Sequence, residues 1–276
     1  VEMTDELCRV LNDFVRIMKE YRVDDWRVCA TSAVREAGNQ LVFLDRVKRH
    51  TGLEVEVLSN ASQRFMDYKS IASRENEFNR IIQKGTAIVD VGGGSIQISL
   101  FDKDRLVASQ NMKIGNLRLR ERMMNEGVSL KHYETLLTEV VKNEFLSYKK
   151  LYLKDRVISN LIVVGDHIGD AVHKNVMTRA DFLNFYDDMI YRSDEDAAGR
   201  CEVPEDVISV LRPSLVVYRC FLEAADVENI WMPGLHLTDG MAYEYAQQNQ
   251  LLKLVHDFDE DILAAARNAA KRYECS

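Results

Sequence analysis

With 276 residues, 46% of them hydrophobic and only 3 prolines, the chain is long enough for one large or two medium globular domains. Its net charge of −8, from 36 basic against 44 acidic side chains, excludes a general nucleic-acid binder, so an anionic ligand needs a locally basic site. No apolar run approaches membrane length and no signal peptide opens the chain, while Cys8, Cys29, Cys201, Cys220 and Cys275 lack CxxC spacing and read as reduced thiols of a cytoplasmic protein. In chain order, residues 5–20 carry Leu7, Val10, Leu11, Phe14 and Met18 on one face of an amphipathic helix. A short strand at 27–31, a helix at 40–50, an alternating strand at 53–58 and one long helix at 62–82 follow. Three strands come next, at about 86–91, 95–101 and 105–112, and they suggest an antiparallel part of a mixed sheet. Helices dominate from Gly115, interrupted by strands at 160–165 and 227–232, and residues 259–273 form an alanine-rich helix with an acidic start and a basic finish. Val1 is not an initiator and the last helix ends with nothing to pack it, so the sequence reads as an interior piece of a longer protein.

The segment 86–100 carries the chemistry. Apolar residues lead into Asp90, then Gly92, Gly93, Gly94 and Ser95, and an alternating run follows, which predicts strand, glycine turn, strand. Glycines permit positive φ and let backbone N–H groups approach an anion, Ser95 adds a hydroxyl, and Asp90 at a strand end suits a divalent cation. A plain hairpin with a glycine bulge is the alternative.

The series Ala30-Thr-Ser-Ala-Val-Arg-Glu-Ala37, Asn39 with Phe43-Leu44, Thr51-Gly-Leu-Glu-Val-Glu-Val-Leu-Ser59, Asp90-Val-Gly-Gly-Gly-Ser95 and Gly115-Asn-Leu-Arg-Leu-Arg-Glu121 resembles the exopolyphosphatase / guanosine pentaphosphate phosphohydrolase family. Val164-Gly165 and Met232-Pro-Gly-Leu-His-Leu-Thr-Asp-Gly240 occupy the places of two later glycine motifs. The resemblance implies an α/β fold of the actin/Hsp70/sugar-kinase (RNase H-like) type, with two domains flanking a phosphate cleft. Residues 1–84 would be the remainder of the first domain, 85–250 the second domain with the glycine hairpin, and 251–276 the start of a helical C-terminal region. It also implies Mg2+-dependent hydrolysis of terminal phosphoanhydride bonds in inorganic polyphosphate or guanosine pentaphosphate, and it admits a homodimer. On that reading Asp90 holds the metal, and Gly92, Gly93, Gly94, Ser95, Arg118 and Gly165 bind phosphate. Arg35 lies near the same cleft; its alternative is a surface arginine paired with Glu36 or Asp45. For Arg120 and Arg122 a solvated helix face is as good a reading.

The departures are specific. The family's first phosphate hairpin, an Asp-x-Gly-Ser-Asn-Ser type segment, has no counterpart in the sequence, and the segment carrying the family's catalytic glutamate reads Ser59-Asn-Ala-Ser-Gln-Arg64. The catalytic position is then Gln63, which cannot accept a proton as a general base but can orient a water. Ser95-Ile-Gln97 stands where the family has Ser-Thr-Glu, and Asp166 where it has a second glycine. Asp67, one helical turn beyond Gln63, is either a displaced base or a solvated helix charge. His132, His167, His173, His236 and His256 show no metal-ligand spacing and read as ordinary surface or half-buried histidines, the His256-Asp257 dipeptide included. Two functions remain: a phosphohydrolase, or a degenerate member that binds polyphosphate or a guanine nucleotide without turnover.

Overall fold

The computed structural model describes residues 2–125, 130–153, 156–164, 167–252 and 256–272. The chain forms two compact units, residues 1–63 and 64–276.

In the first unit, α1 (Glu2–Glu20) lies against α3 (Gln40–Thr51), with β1 (Val28–Ala30) and a single turn, α2 (Ser32–Arg35), between them, and β2 (Val55–Val57) following. Cys8 and Val47 are buried, Arg46 Nε donates to Asp5 Oδ1 at 3.0 Å, and Asn12 donates to the His50 carbonyl, tying the two helices together. Gly52 ends α3 in the left-handed region at φ 75°, where a side chain would be strained. β1 and β2 pair in parallel.

The second unit is built on a mixed six-stranded sheet. Leading into it, α4 (Asn60–Ala72) and α5 (Glu75–Ile81) replace the single helix expected over 62–82. Arg74, with φ −93° and ψ 51°, leaves helical geometry between them. Then come β3 (Thr86–Val91), β4 (Ile96–Asp102), β5 (Arg105–Met112), α6 (Asn116–Asn125) and α7 (Leu130–Tyr148), which runs into a π-helical turn at Lys149–Leu153. After these come β6 (Asn160–Val164), α8 (Ile168–Val172), β7 (Val176–Thr178), α9 (Arg179–Met189), α10 (Asp194–Cys201), α11 (Glu205–Ala224), β8 (Asn229–Trp231), α12 (Leu237–Gln248) and α13 (Phe258–Arg272). The strand order is β5-β4-β3-β6-β8-β7. The β3–β4–β5 meander is antiparallel as expected, β3–β6 and β6–β8 are parallel, and β7 closes the far edge antiparallel to β8.

The period of two along a strand divides the core. Ala87, Val89 and Val91 of β3, with Ile96, Ile98 and Leu100 of β4, join the larger cluster, which also contains Leu119, Val141 and Phe221 from α6, α7 and α11. Ile88 and Phe101 point the other way, into a smaller cluster with Tyr68, Ile71 and Ala72 of α4 and Phe78 of α5. Asp90, Gln97 and Ser99 share that second face by register, because Asp90 pairs with Gln97 and Ile88 with Ser99. The polar residues of the central strands are therefore aimed at α4.

Candidate functional site

β3 is a central strand of the sheet, and Asp90 stands one residue before its end. Gly92, Gly93 and Gly94 make the turn into β4, closed by a hydrogen bond from the Gly92 N–H to the Ser95 carbonyl at 3.0 Å. The start of α6 then seats on this turn. The Asn116 N–H donates to the Gly92 carbonyl at 3.0 Å and the Arg118 N–H to the Gly93 carbonyl at 3.3 Å. Asn116 Nδ2 reaches the Val91 carbonyl and Ser214 Oγ on α11. A Cβ on Gly115 would lie 2.4 Å from both the Gly92 and Gly93 carbonyl oxygens, so only glycine lets the helix come this close. Positive φ, the expected reason for glycine in the turn, is not used at Gly92 or Gly93. A Cβ on Gly93 would meet only the movable end of the exposed Leu117 side chain, at 2.7 Å, and one on Gly92 would be in ordinary contact with the Ser95 carbonyl at 3.4 Å, so the strict demand for glycine is at Gly115.

Asp90 is 5% exposed, and Gln97 Nε2 donates to its Oδ2 at 3.4 Å. Facing it from α4 is Asp67, 4% exposed. Its carboxyl is pushed well above the usual carboxylate range, first by burial and then by the charge of Asp90 and a hydrogen bond to it, with Arg64 pulling weakly the other way. The sequence favoured a solvated helix charge at Asp67; the structure corrects this to a buried acid beside a second buried acid. The cause is that α4 buries Met66, Asp67, Tyr68, Ser70, Ile71 and Ala72 almost consecutively, so it has little polar face left along that stretch. The next residue, Tyr68, donates its hydroxyl to Ser99 Oγ, and Gly240 of α12 holds α4 in place. A Cβ there would meet the Met66 carbonyl oxygen at 1.9 Å, and the Lys69–Glu244 ion pair joins the same two helices.

The remaining sequence-derived residues divide by unit. Asp90, Gly92, Gly93, Gly94, Ser95 and Arg118 come together in the second unit, with Ser95 buried and the Arg118 side chain exposed. Arg120 is occupied structurally, donating to Ser209 Oγ at 2.7 Å, whereas Arg122 is solvent-facing. Gln63 lies in the first turn of α4 at the end of the first unit. Also in the first unit, Arg35 Nη1 donates to the Leu58 carbonyl at 2.6 Å, Nη2 is buried without a hydrogen-bond partner, and Asp45 is paired with Arg49 instead. Gly165 and Asp166 lie outside the described residues. Among the described residues no group of three or more His, Cys, Asp or Glu side chains is placed to hold a metal. Arg64, three residues before Asp67 on the same helix, was not singled out from the sequence; its spacing from Asp67 was the available signal.

His256 is a correction to the reading of an ordinary histidine. It is buried, with Nε2 2.6 Å from Asp261 Oδ2 and Nδ1 3.4 Å from Asp104 Oδ1, and it is ringed by Phe78, Phe101 and Phe258. Asp257 caps α13, accepting from the Glu260 N–H. Among the described residues no helix is long and apolar enough to cross a membrane, and Cys8, Cys29, Cys201 and Cys220 are free thiols.

A sequence profile of the Ppx/GppA phosphatase family matches residues 1–248 of the 276. The chain belongs to the Ppx/GppA phosphatase family. Among solved structures, an exopolyphosphatase from Cytophaga hutchinsonii superposes with a TM-score of 0.74 at 16% identity, covering 92% of this chain and 84% of that one. The Aquifex aeolicus Ppx/GppA family member gives 0.69 at 19% identity, covering 90% and 82%. These likenesses carry the fold: it is the mixed α/β fold of the solved Ppx/GppA structures. Exopolyphosphatase 1 of Mycobacterium leprae is 31% identical over 96 residues, 34% of this chain. The bifunctional 3-dehydroquinate synthase/phosphatase of Fusobacterium nucleatum is 23% identical over 123 residues, 44% of this chain. The matched segments span 27% and 18% of those two proteins.

Proposed function

We propose that this Ppx/GppA member works as a phosphoanhydride hydrolase of the exopolyphosphatase type, releasing terminal phosphate from inorganic polyphosphate or guanosine pentaphosphate. The observation that carries the reading is the buried Asp90 carboxylate one residue before the end of a central strand, followed at once by a glycine turn clamped under the start of α6. Phosphoryl transfer asks for positioning and charge neutralisation more than for covalent chemistry. The Gly93 and Gly94 amides and the Ser95 hydroxyl are assigned to phosphate oxygens, the Gly92 N–H being used to close the turn, with Arg118 supplying positive charge that the acidic chain otherwise lacks.

Mg2+ fits the residues present: it keeps most of its waters and is commonly held by one or two carboxylates together with substrate phosphates, so a large protein cage is not required. Asp90 would hold it, and when bound the ion neutralises charge on the transferring phosphoryl group. Gln63 would orient the attacking water through its amide. It cannot take the proton, and losing a general base typically removes about 10²–10⁴ in rate. That residue favours a second reading, in which the site binds polyphosphate or a guanine nucleotide and barely turns it over.

Phosphate release from long-chain polyphosphate and from guanosine pentaphosphate, with Mg2+, separates the two. Slow release that falls at least about tenfold in Asp90→Asn, and rises in Gln63→Glu, supports hydrolysis. Tight binding with no release supports the binder. Neither binding nor release refutes both.

A further inference from the structure

Two buried acids facing each other are an expensive arrangement unless something else belongs between them. Asp67 and Asp90 are each at least nine-tenths buried, from α4 and β3, with their carboxyls within hydrogen-bond reach. Both cannot ionise side by side in a low-dielectric interior without a counter-charge. The neighbouring cation does not fill that role by hydrogen bonding through Nε, since Arg64 Nε is buried with no partner. Asp67 Oδ2 and Gln97 Oε1 are likewise buried without a hydrogen-bond partner. Gln97 is only 2% exposed, and its amide already lies against Asp90, so exchanging its oxygen and nitrogen would turn a further oxygen toward the acids. A scaffold with no further use for this spot would do better with an apolar residue at 67, where the neighbours on α4 are Met66, Tyr68 and Ile71. Two buried carboxyls, one of them with an oxygen that has no hydrogen-bond partner, beside an amide that can turn an oxygen toward them, suit a hard cation.

We propose that Asp67 is a second protein ligand for the divalent cation that Asp90 holds, so that α4 and β3 each contribute a carboxylate and water or phosphate oxygens complete the shell. This rests on the assignment of Asp90 to the metal made above. It gives Asp67 a role in holding the cation, distinct from that of a displaced base at the Gln63 position, and it places cation binding within the second compact unit.

The test uses the 276-residue chain without substrate. Mn2+ alone, and separately Mg2+ alone, is titrated calorimetrically into wild type, Asp67→Asn and Asp90→Asn, and the Mn2+-induced rise in melting temperature is recorded for each. Asp67→Asn keeps the shape of the protonated acid, and Asp67→Ser serves as a second variant should the first not fold. Binding of one Mn2+ by wild type, weakened at least about tenfold in both the Asp67 and Asp90 variants with the thermal shift lost, is the expected result. Wild-type affinity in a folded Asp67 variant alongside loss in Asp90→Asn overturns the proposal and leaves Asp90 as the metal residue. No binding by wild type at millimolar Mn2+ overturns both.

Discussion

Asp67 and Asp261 are buried to almost the same degree, 4% and 3% exposed, and they have opposite surroundings. Asp261 has both oxygens engaged: Oδ2 with His256 Nε2, and Oδ1 accepting from the Leu106 N–H at 3.2 Å. Asp67 faces another acid and keeps one oxygen without a hydrogen-bond partner. Burial alone thus says little about why an acid is inside. An acid whose oxygens are all taken by fixed donors joins elements of the fold, here α13 to β5. One set against a like charge weakens the fold and is better explained by something it binds.

The contrast breaks most visibly at Asp261. Asp261→Ala strips His256 of its main partner and leaves the Leu106 N–H without an acceptor, and we expect a loss of about 3 kcal/mol in urea unfolding. A loss below about 1 kcal/mol would mean that the His256 cluster is not the fastening it looks like. Next in size is Gly240→Ala. Its Cβ would press on the Met66 carbonyl, forcing α12 and α4 apart at a cost of about 2 kcal/mol, measurable in the same assay.

The pH dependence sharpens the comparison further. The folded-state pKa of Asp67 is raised, so its contribution to stability is full below its ordinary value of 3.8 and is lost as pH rises toward the folded value. For His256 burial acts to lower the pKa, but the bond to Asp261 and the charges of Asp261, Asp104 and Asp257 outweigh it, and the net direction is up. Its contribution is therefore full below 6.5 and lost as pH rises above that. The two losses share a sign but begin at different pH. Without divalent cations, Asp67→Asn should flatten the decline that starts in the acid range, and His256→Phe the one that starts near neutrality. Urea midpoints across pH 4–9 read both, and identical profiles for wild type and Asp67→Asn would mean that Asp67 does not feel Asp90. The smallest expected effect is that of Tyr68→Phe, beside Asp67 on the same helix but with its hydroxyl on Ser99. It should cost about 1 kcal/mol or less, the ordinary worth of one satisfied hydrogen bond.

How much of this was readable beforehand depended on the kind of signal. β3, β4 and β5 fall within a residue of expectation because alternating apolar residues, a glycine run and Lys103-Asp104 punctuate them sharply. The strand end at Asp90 and the turn at Gly92–Gly94 were legible through the glycine run between two apolar stretches. The break between α4 and α5 was not, since Ser73-Arg74 contains neither glycine nor proline. β7 was missed because Val176–Thr178 is too short to show a period. The burial of Asp67 was invisible for a deeper reason: periodicity assigns one wet face to a helix, and α4 is enclosed along most of its second half.

One feature of the sheet bears on how the protein is made. β3 is the strand at which pairing switches from antiparallel, with β4 next to it in sequence, to parallel, with β6 far along the chain. On one side of Asp90, α4, the glycine turn, β4 and the start of α6 come from the continuous stretch 64–119, whereas β6, whose Val164 pairs with Asp90 on the other side, and β8 and β7 arrive much later. Closing short loops costs little entropy and proceeds fast, while the parallel pairings must wait for distant segments. During synthesis the acid pair and its turn therefore emerge and meet while the apolar edge of β3 is still bare, and that edge is exposed to wrong partners until β6 is delivered.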